Sequence, residues 1–289
     1  IVQDIFMTKT ASIADVVFPA TSWGEHEGVY TSADRGFQRF YKAVEPVGDV
    51  KTDWQIISLM ATAMGYPMHY NNTKEIWDEL RELCPIYYGA TYEKMADLAY
   101  IQWPCPTEDS PGTQYLYEGG KFDTPNGKGQ FYTCVWAPPI DQLSDEFPMV
   151  LATVREVGHY SCRSMTGNCK ALAALADEPG YVQLNTEDAK QLGIKDQELV
   201  WIRSRQGKVI TRAAVSDRPN KGAVYMTYQW WIGACNELVA ENLSPITKTP
   251  EYKYCAVCVE SIKDQAQAEH YVKTEYNNIK RRLREAAEG

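Results

Sequence analysis

Apolar and polar positions follow two different rhythms along this chain, and the change falls near residue 130. Ile1 to Phe6 and Ala14 to Phe18 are short apolar runs suited to buried strands. The turn- or helix-compatible MTKTASI separates them, and Pro19 stops the second. Ser22 to Asp49 is rich in Gly and charge and reads as a long irregular stretch, of the sort that is functional or packed against something else. Thr52 to Gly65 predicts a helix: Thr52 and Gln55 fit a capping box, Ile56, Ile57, Met60 and Met64 make a stripe, and Gly65 ends it. Thr73 to Leu83 predicts another, with Ile76, Leu80 and Leu83 on one face and Pro85 beyond, and Tyr92 to Tyr100 is compatible with a third.

Pro104 to Gly129 is poor in pattern and rich in Pro, Gly, Asp and Ser, so it reads as a link between halves. Beyond it the period becomes that of strands. These are expected at Phe131 to Trp136, Met149 to Val154, Tyr181 to Leu184, Glu198 to Ser204, Lys208 to Ser216, Ala223 to Tyr228 and Tyr254 to Glu260. Gln206-Gly207 marks a hairpin. Helices interrupt at Thr186 to Leu192, ahead of Gly193, and at Lys263 to Ala287, where Val272, Tyr276, Ile279 and Leu283 form the apolar stripe. Many short strands with few helices point to a closed barrel.

A chain of 289 residues has room for two domains with real cores. Its net charge of -9 argues against a nucleic-acid backbone as partner, which would want a basic stripe. Nothing near Ile1 has the order of a signal peptide, and no apolar run is long enough for a bilayer, so the chain reads as soluble, without membrane insertion. The eight cysteines form no framework and read as free thiols in a reducing, cytoplasmic setting. Cys255 and Cys258 make a C-x-x-C, but in the strand-like YCAVCVES residues three apart point to opposite faces, against a shared metal. There is no phosphate-binding G-x-x-x-x-G-K-[ST], no G-x-G-x-x-G and no plausible zinc set.

The densest chemistry lies in Val150 to Asn168, where an apolar strand runs into Arg155, Glu156, His159, Ser161, Arg163, Ser164, Thr166 and Asn168. Guanidinium forks beside hydroxyls suit an anionic ligand rich in acceptors. A second cluster, Asn242 to Lys253, carries Lys248, Lys253 and several hydroxyls; for both clusters the plain alternative is a solvated loop. His159 is either a satisfied core histidine or a positioning group. Trp230 and Trp231 with Tyr228 are more simply core than an aromatic cage. The run Lys280, Arg281, Arg282 and Arg284 complements a helix end. Asp53 stands in a first helical turn, where any acid gains from the dipole, although a carboxylate also matches the paired donors of a guanine edge.

The strings QDIFMTKTASIADVVFPATSWGEHEG, KTDWQIISLMATAMGYPMHYNN, TVREVGHYSCRSMTGN and YMTYQWWIGACNELVAENLSPITKTPEYKYCAV span essentially the whole chain. They resemble the molybdenum or tungsten oxidoreductases that carry two pyranopterin guanine dinucleotides, the dimethyl sulfoxide reductase superfamily. Within it they are most similar to the hydrogenase-linked formate dehydrogenases of enteric bacteria. The resemblance implies an α/β segment, the end of an open α/β cofactor domain plus helices, over 1–114. It implies a mainly β double-psi barrel with peripheral helices over 115–289. It further implies bis-molybdopterin guanine dinucleotide with Mo or W, contacted by Gln3, Ala20, Asp53, Arg155, Glu156, His159, Ser161, Tyr228, Asn242 and Lys253, with backbone N–H groups near Thr21 as further donors. The 4Fe-4S cysteines and the cysteine or selenocysteine metal ligand have no counterpart here, and the chain opens on IVQDIF like the C-terminal part of a longer polypeptide. Implied partners are formate, an electron-transfer iron–sulfur subunit and a hydrogenase complex. Two other readings stay open: the same cofactor with nitrate or another oxo-acceptor, and a stand-alone barrel recognition module.

Overall fold

The computed structural model describes residues 1–96, 99–176 and 178–288. Its chain contacts divide it into two units, Ile1–Ile5 with Ile13–Cys134, and Phe6–Ser12 with Val135–Gly289. The expected halves met at 114/115; by contacts, 115–134 goes with the first unit and Phe6–Ser12 with the second.

In the first unit, β1 (Val2–Asp4) and β2 (Val17–Pro19) pair in parallel with Gln3 opposite Phe18, where two apolar runs were expected. The stretch 22–49 is not irregular throughout. β3 (Gly28–Thr31) and β4 (Gly36–Phe40) form an antiparallel hairpin, because Gly36 leaves room that a side chain would fill: a Cβ there would lie 1.9 Å from the Tyr100 ring. α1 (Asp53–Ala63) starts where its capping signal predicts, with the Gln55 side chain accepting from the Thr52 N–H at 3.0 Å. Its stripe is narrower than the sequence suggests, since Ile56 is buried but Ile57 and Met64 are exposed. α2 (Thr73–Leu83) buries Trp77 and Arg81 in place of the expected Ile76, Leu80 and Leu83 face. Trp77 packs edge-on against Phe37 and donates its indole N–H to Ala90 O at 2.7 Å. A large ring with its polar handle satisfied outweighs the aliphatic row. Of the third expected helix, 92–95 is a turn, 97 and 98 lie outside the described residues, and β5 (Tyr100–Gln102) extends the hairpin to three strands.

The second unit is built on β6 (Met149–Val154), β7 (Tyr181–Asn185), β8 (Leu199–Arg203), β9 (Lys208–Ser216), β10 (Ala223–Thr227) and β11 (Cys255–Ser261). They close in the order β10-β6-β11-β8-β9-β7; the β10–β6 and β7–β9 pairs are parallel and the others antiparallel. Alternate residues such as Met149, Leu151, Val182, Leu184, Val224 and Met226 fill the interior. Phe131–Trp136 is not a seventh strand: a closed ring offers no edge to pair with, and Phe131, Val135 and Trp136 lie exposed. α3 (Lys170–Ala173) is a single turn, and α4 (Thr186–Leu192) has Asn185 as N-cap and a left-handed Gly193 at its end. α5 (Gln265–Glu288) buries Ala268 and Val272 beside Leu199 and Ile210, while Gln265 bonds both backbone groups of Leu199 at 2.8 and 2.9 Å. Among the described residues no helix is long and apolar enough to cross a membrane.

Asp141 fastens the approach to the barrel. It is buried, accepts the Ala256 N–H of β11 at 2.7 Å and pairs with Arg205, whose Nη2 donates to Gln142 O at 2.9 Å. Replacing Asp141 by Ala orphans a buried N–H and a guanidinium, at a cost of about 2 to 3 kcal/mol. Urea unfolding measures it; a loss below about 0.5 kcal/mol, the range of ordinary surface changes, contradicts this fastening role.

Candidate functional site

Strand pairing assembles one end of the barrel. β6 and β10 run parallel with Val154 opposite Thr227, so Arg155 and Tyr228, the next residue on each, emerge side by side. β11 is antiparallel to β6, with Cys255 opposite Leu151, and therefore begins at that same end, bringing Lys253. These three residues line one cavity of about 600 Å³ together with Thr153, Asn236 and Glu241. Lys253 Nζ donates to Thr153 O and lies 5.1 Å from the Tyr252 ring centre. Arg155 is exposed at the rim. The two cations give the mouth of the cavity a positive side.

The turn that follows β6 is held from within. Glu156 accepts from the Tyr181 hydroxyl, whose pKa burial and then this carboxylate push up to about 12. His159 is buried with both ring nitrogens engaged: Nε2 donates to Ala176 O at 2.9 Å, and Nδ1 meets Thr166 Oγ1 at 3.0 Å. A histidine so placed shapes the turn and has no free nitrogen for proton transfer. Ser161 takes a left-handed φ of 48° and Arg163 one of 65°, both uncommon for residues with side chains. Arg163 reaches Glu178 at 2.8 Å with both side chains almost fully buried, and its guanidinium stands 4.4 Å over the Trp230 ring. Glu178 also accepts the N–H groups of Trp231 and Ile232 at 2.9 and 3.0 Å. One carboxylate thus joins the turn after β6 to the loop after β10.

The other sequence candidates are arranged differently. Asn242 does not line the cavity; it donates to Glu251 at 2.7 Å and ties the base of the 243–250 loop. In the first unit, Gln3 at the β1 end donates to Asp53 at the start of α1, so these two meet. The Ala20 N–H is taken by Asp4 O at 3.2 Å, which leaves it no hydrogen to offer a ligand. Trp230 is buried, in keeping with a core role. Cys255 is buried and Cys258 half-buried; all eight cysteines are free, and no cluster suited to a metal ion occurs among the described residues.

A second cavity in the same unit, of about 940 Å³, shares Tyr228 as a wall and is lined by Lys9, Arg163, Lys170, Lys280 and Arg284 with no carboxylate. Gln229, only 3% exposed, also lines it, and neither polar atom of its amide has a partner. Adjoining cationic cavities with an unsatisfied buried amide fit a large, anionic, heterocyclic cofactor.

The class this defines agrees with the comparisons. Residues 149–256 match the molydopterin dinucleotide binding domain, and residues 1–63 match the molybdopterin oxidoreductase family. The chain thus carries a molydopterin dinucleotide binding domain and a segment of the molybdopterin oxidoreductase family. It is 77% identical over 289 residues to formate dehydrogenase H of Escherichia coli (strain K12), covering 99% of this chain and 40% of that protein. It is 42% identical to F420-dependent formate dehydrogenase 2 subunit alpha of Methanococcus maripaludis, covering 91% of this chain and 39% of the relative. The chain therefore spans about two fifths of these relatives' length. Among solved structures, acetylene hydratase from Pelobacter acetylenicus shares the fold with a TM-score of 0.69 at 19% identity, over 89% of this chain and 39% of that one.

Sequence reasoning missed Glu178, Tyr181 and Gln229. The one visible signal was polar residues bordering Pro179-Gly180 and Trp230-Trp231, where the chain enters buried positions. Glu178→Ala leaves the Arg163 charge buried and unpaired, with an expected loss of about 3 to 5 kcal/mol. Arg163→Met in the same chain should restore part of that loss. Denaturant unfolding of both singles and the double closes the cycle; strictly additive losses mean the pair is not coupled.

Proposed function

We propose that this chain is the C-terminal, cofactor-binding part of a formate dehydrogenase catalytic subunit. The observation that carries the reading is the 77% identity to formate dehydrogenase H across 99% of the chain. In the complete enzyme formate loses two electrons and a proton to become carbon dioxide, and the electrons pass to a 4Fe-4S cluster. Molybdenum or tungsten, held by two pyranopterin guanine dinucleotides and by a cysteine or selenocysteine outside this chain, supplies that redox chemistry.

The chain's own residues bind and orient. Arg155 and Lys253 offer positive charge to phosphate or pterin oxygens, and Tyr228 offers a hydroxyl beside them. Glu156, His159 and Ser161 fix the turn that carries Arg155, and Asn242 fixes the loop before Lys253. Asp53, with Gln3 against it, takes the paired N–H donors of a guanine edge, and Ala20 contributes backbone shape at the neighbouring strand end. The two parallel pairs within the closed ring support a double-psi topology. An iron–sulfur electron-transfer subunit, a hydrogenase complex and a cytoplasmic setting belong to the same reading. Nitrate is the second reading, favoured by 33% identity to the assimilatory nitrate reductase catalytic subunit of Bacillus subtilis (strain 168), and it is the weaker because that identity is less than half as high.

In the complete enzyme, Asp53→Asn presents a donor to guanine's own N–H groups and Arg155→Ala removes a charged contact. Each should cost about 1.5 to 3 kcal/mol of cofactor binding, one to two powers of ten in affinity. Molybdenum and guanine nucleotide released per polypeptide measure it, beside formate-dependent dye reduction and a thermal melt. Full cofactor content in both variants removes these residues from the site, and turnover of nitrate without formate oxidation selects the second reading.

A further inference from the structure

Strand order brings Lys253 to the mouth of the smaller cavity, but the residue stands ahead of β11, outside the ladder that begins at Cys255. Tyr252 and Lys253 are both exposed. An ammonium on a flexible four-carbon stem has many places to be, and giving them up on meeting an anion costs free energy. Where Lys253 can reach is therefore set by the backbone that carries it.

That backbone is held at both ends by one short stretch from much earlier in the chain. On the near side, Glu251 Oε2 accepts from the Ile140 N–H at 3.3 Å and from Asn242 Nδ2 at 2.7 Å, while the Glu251 N–H donates to Asn242 O at 3.0 Å. On the far side, the adjacent Asp141 accepts the Ala256 N–H at 2.7 Å and is itself pinned by Arg205. Ile140 and Asp141 thus form a bracket whose two arms straddle Lys253. With both arms in place, Lys253 Nζ donates to Thr153 O on β6, close to where Arg155 emerges. Glu251 does not line the cavity. Two residues from a cation that faces an anion, its negative charge opposes binding, so charge gives no reason for it to be there.

We propose that Glu251 is a positioning residue: by tying Ile140 to the base of the 243–250 loop, it fixes where Lys253 presents its ammonium in the cavity. The inference rests on the cofactor reading above and adds to it a residue that acts only through Lys253. The near arm of the bracket serves the site, whereas the far arm, through Asp141, also fastens the barrel.

The rate at which molybdenum and guanine nucleotide leave the complete enzyme on dilution tests this, beside thermal melts. Glu251→Ala should speed release about three- to tenfold, the cost of ordering one long side chain afresh. Removing a negative charge near the cavity would by charge alone slow release, so the sign separates positioning from electrostatics. Glu251→Gln keeps an acceptor for Asn242 and Ile140 and should stay within about twofold of the unsubstituted enzyme. In a Lys253→Ala background Glu251→Ala should add nothing, whereas a residue that serves only the fold adds its full factor there. Asn242→Leu opens the same tie from the other side and should match Glu251→Ala, which keeps the test decisive where one variant fails to fold. Unchanged or slower release in Glu251→Ala, or factors that multiply in the double variant, overturn the role of Glu251. If Lys253→Ala and Arg155→Ala still speed release in that case, the cofactor reading stands and only this inference falls. If neither does, the reading of the cavity falls with it.

Discussion

The parallel pairing of β6 with β10 is the constraint from which the site follows. Two strands in parallel register finish at the same level, so whatever residues come next are neighbours regardless of their separation in sequence. Here they are Arg155 and Tyr228. The antiparallel β11 on the other side of β6 begins where β6 ends, which delivers Lys253 without any further device. A slip of one residue would turn every interior side chain outward, so the same hydrophobic alternation that fills the barrel also fixes the site's register. Packing and the placement of these three side chains are therefore specified by one pattern.

Much of the second unit was legible because its strands alternate cleanly. β6, β9 and α4 lie where the pattern put them, and Gly193 ends α4 in the left-handed conformation its position implied. Misreadings share a cause. Phe131–Trp136 has strand composition but no partner, since pairing is a property of the whole ring and not of one segment. α2 buries Trp77 and Arg81 because a ring with a bonded N–H fills space that three aliphatic residues on another face do not. The β3–β4 hairpin was hidden by charges and glycines whose meaning depends on Tyr100, far along the chain.

The site residues divide in the same way. Arg155 and Lys253 stood out as cations in two polar clusters, Tyr228 came in only through the family resemblance, and the structure brings the three to one cavity. Glu178 did not stand out, because its worth lies in three partners distant in sequence, Arg163, Trp231 and Ile232. A buried ion pair of this kind contributes little net stability by itself, since desolvation offsets attraction. It is informative for another reason: it makes two loops into one rigid piece, so that the turn after β6 and the loop after β10 keep a common geometry.

Tyr228 is the side chain that both cavities share. A partition with a ligand on each side is a coupling element, because displacing it toward one compartment reshapes the other. Linkage then makes the influence mutual: whatever factor the first occupant imposes on the second, the second imposes on the first. Were both compartments to take a ligand, filling them would be cooperative, with a sign that depends on whether the phenol ring has one resting position that suits both occupants or must choose between them.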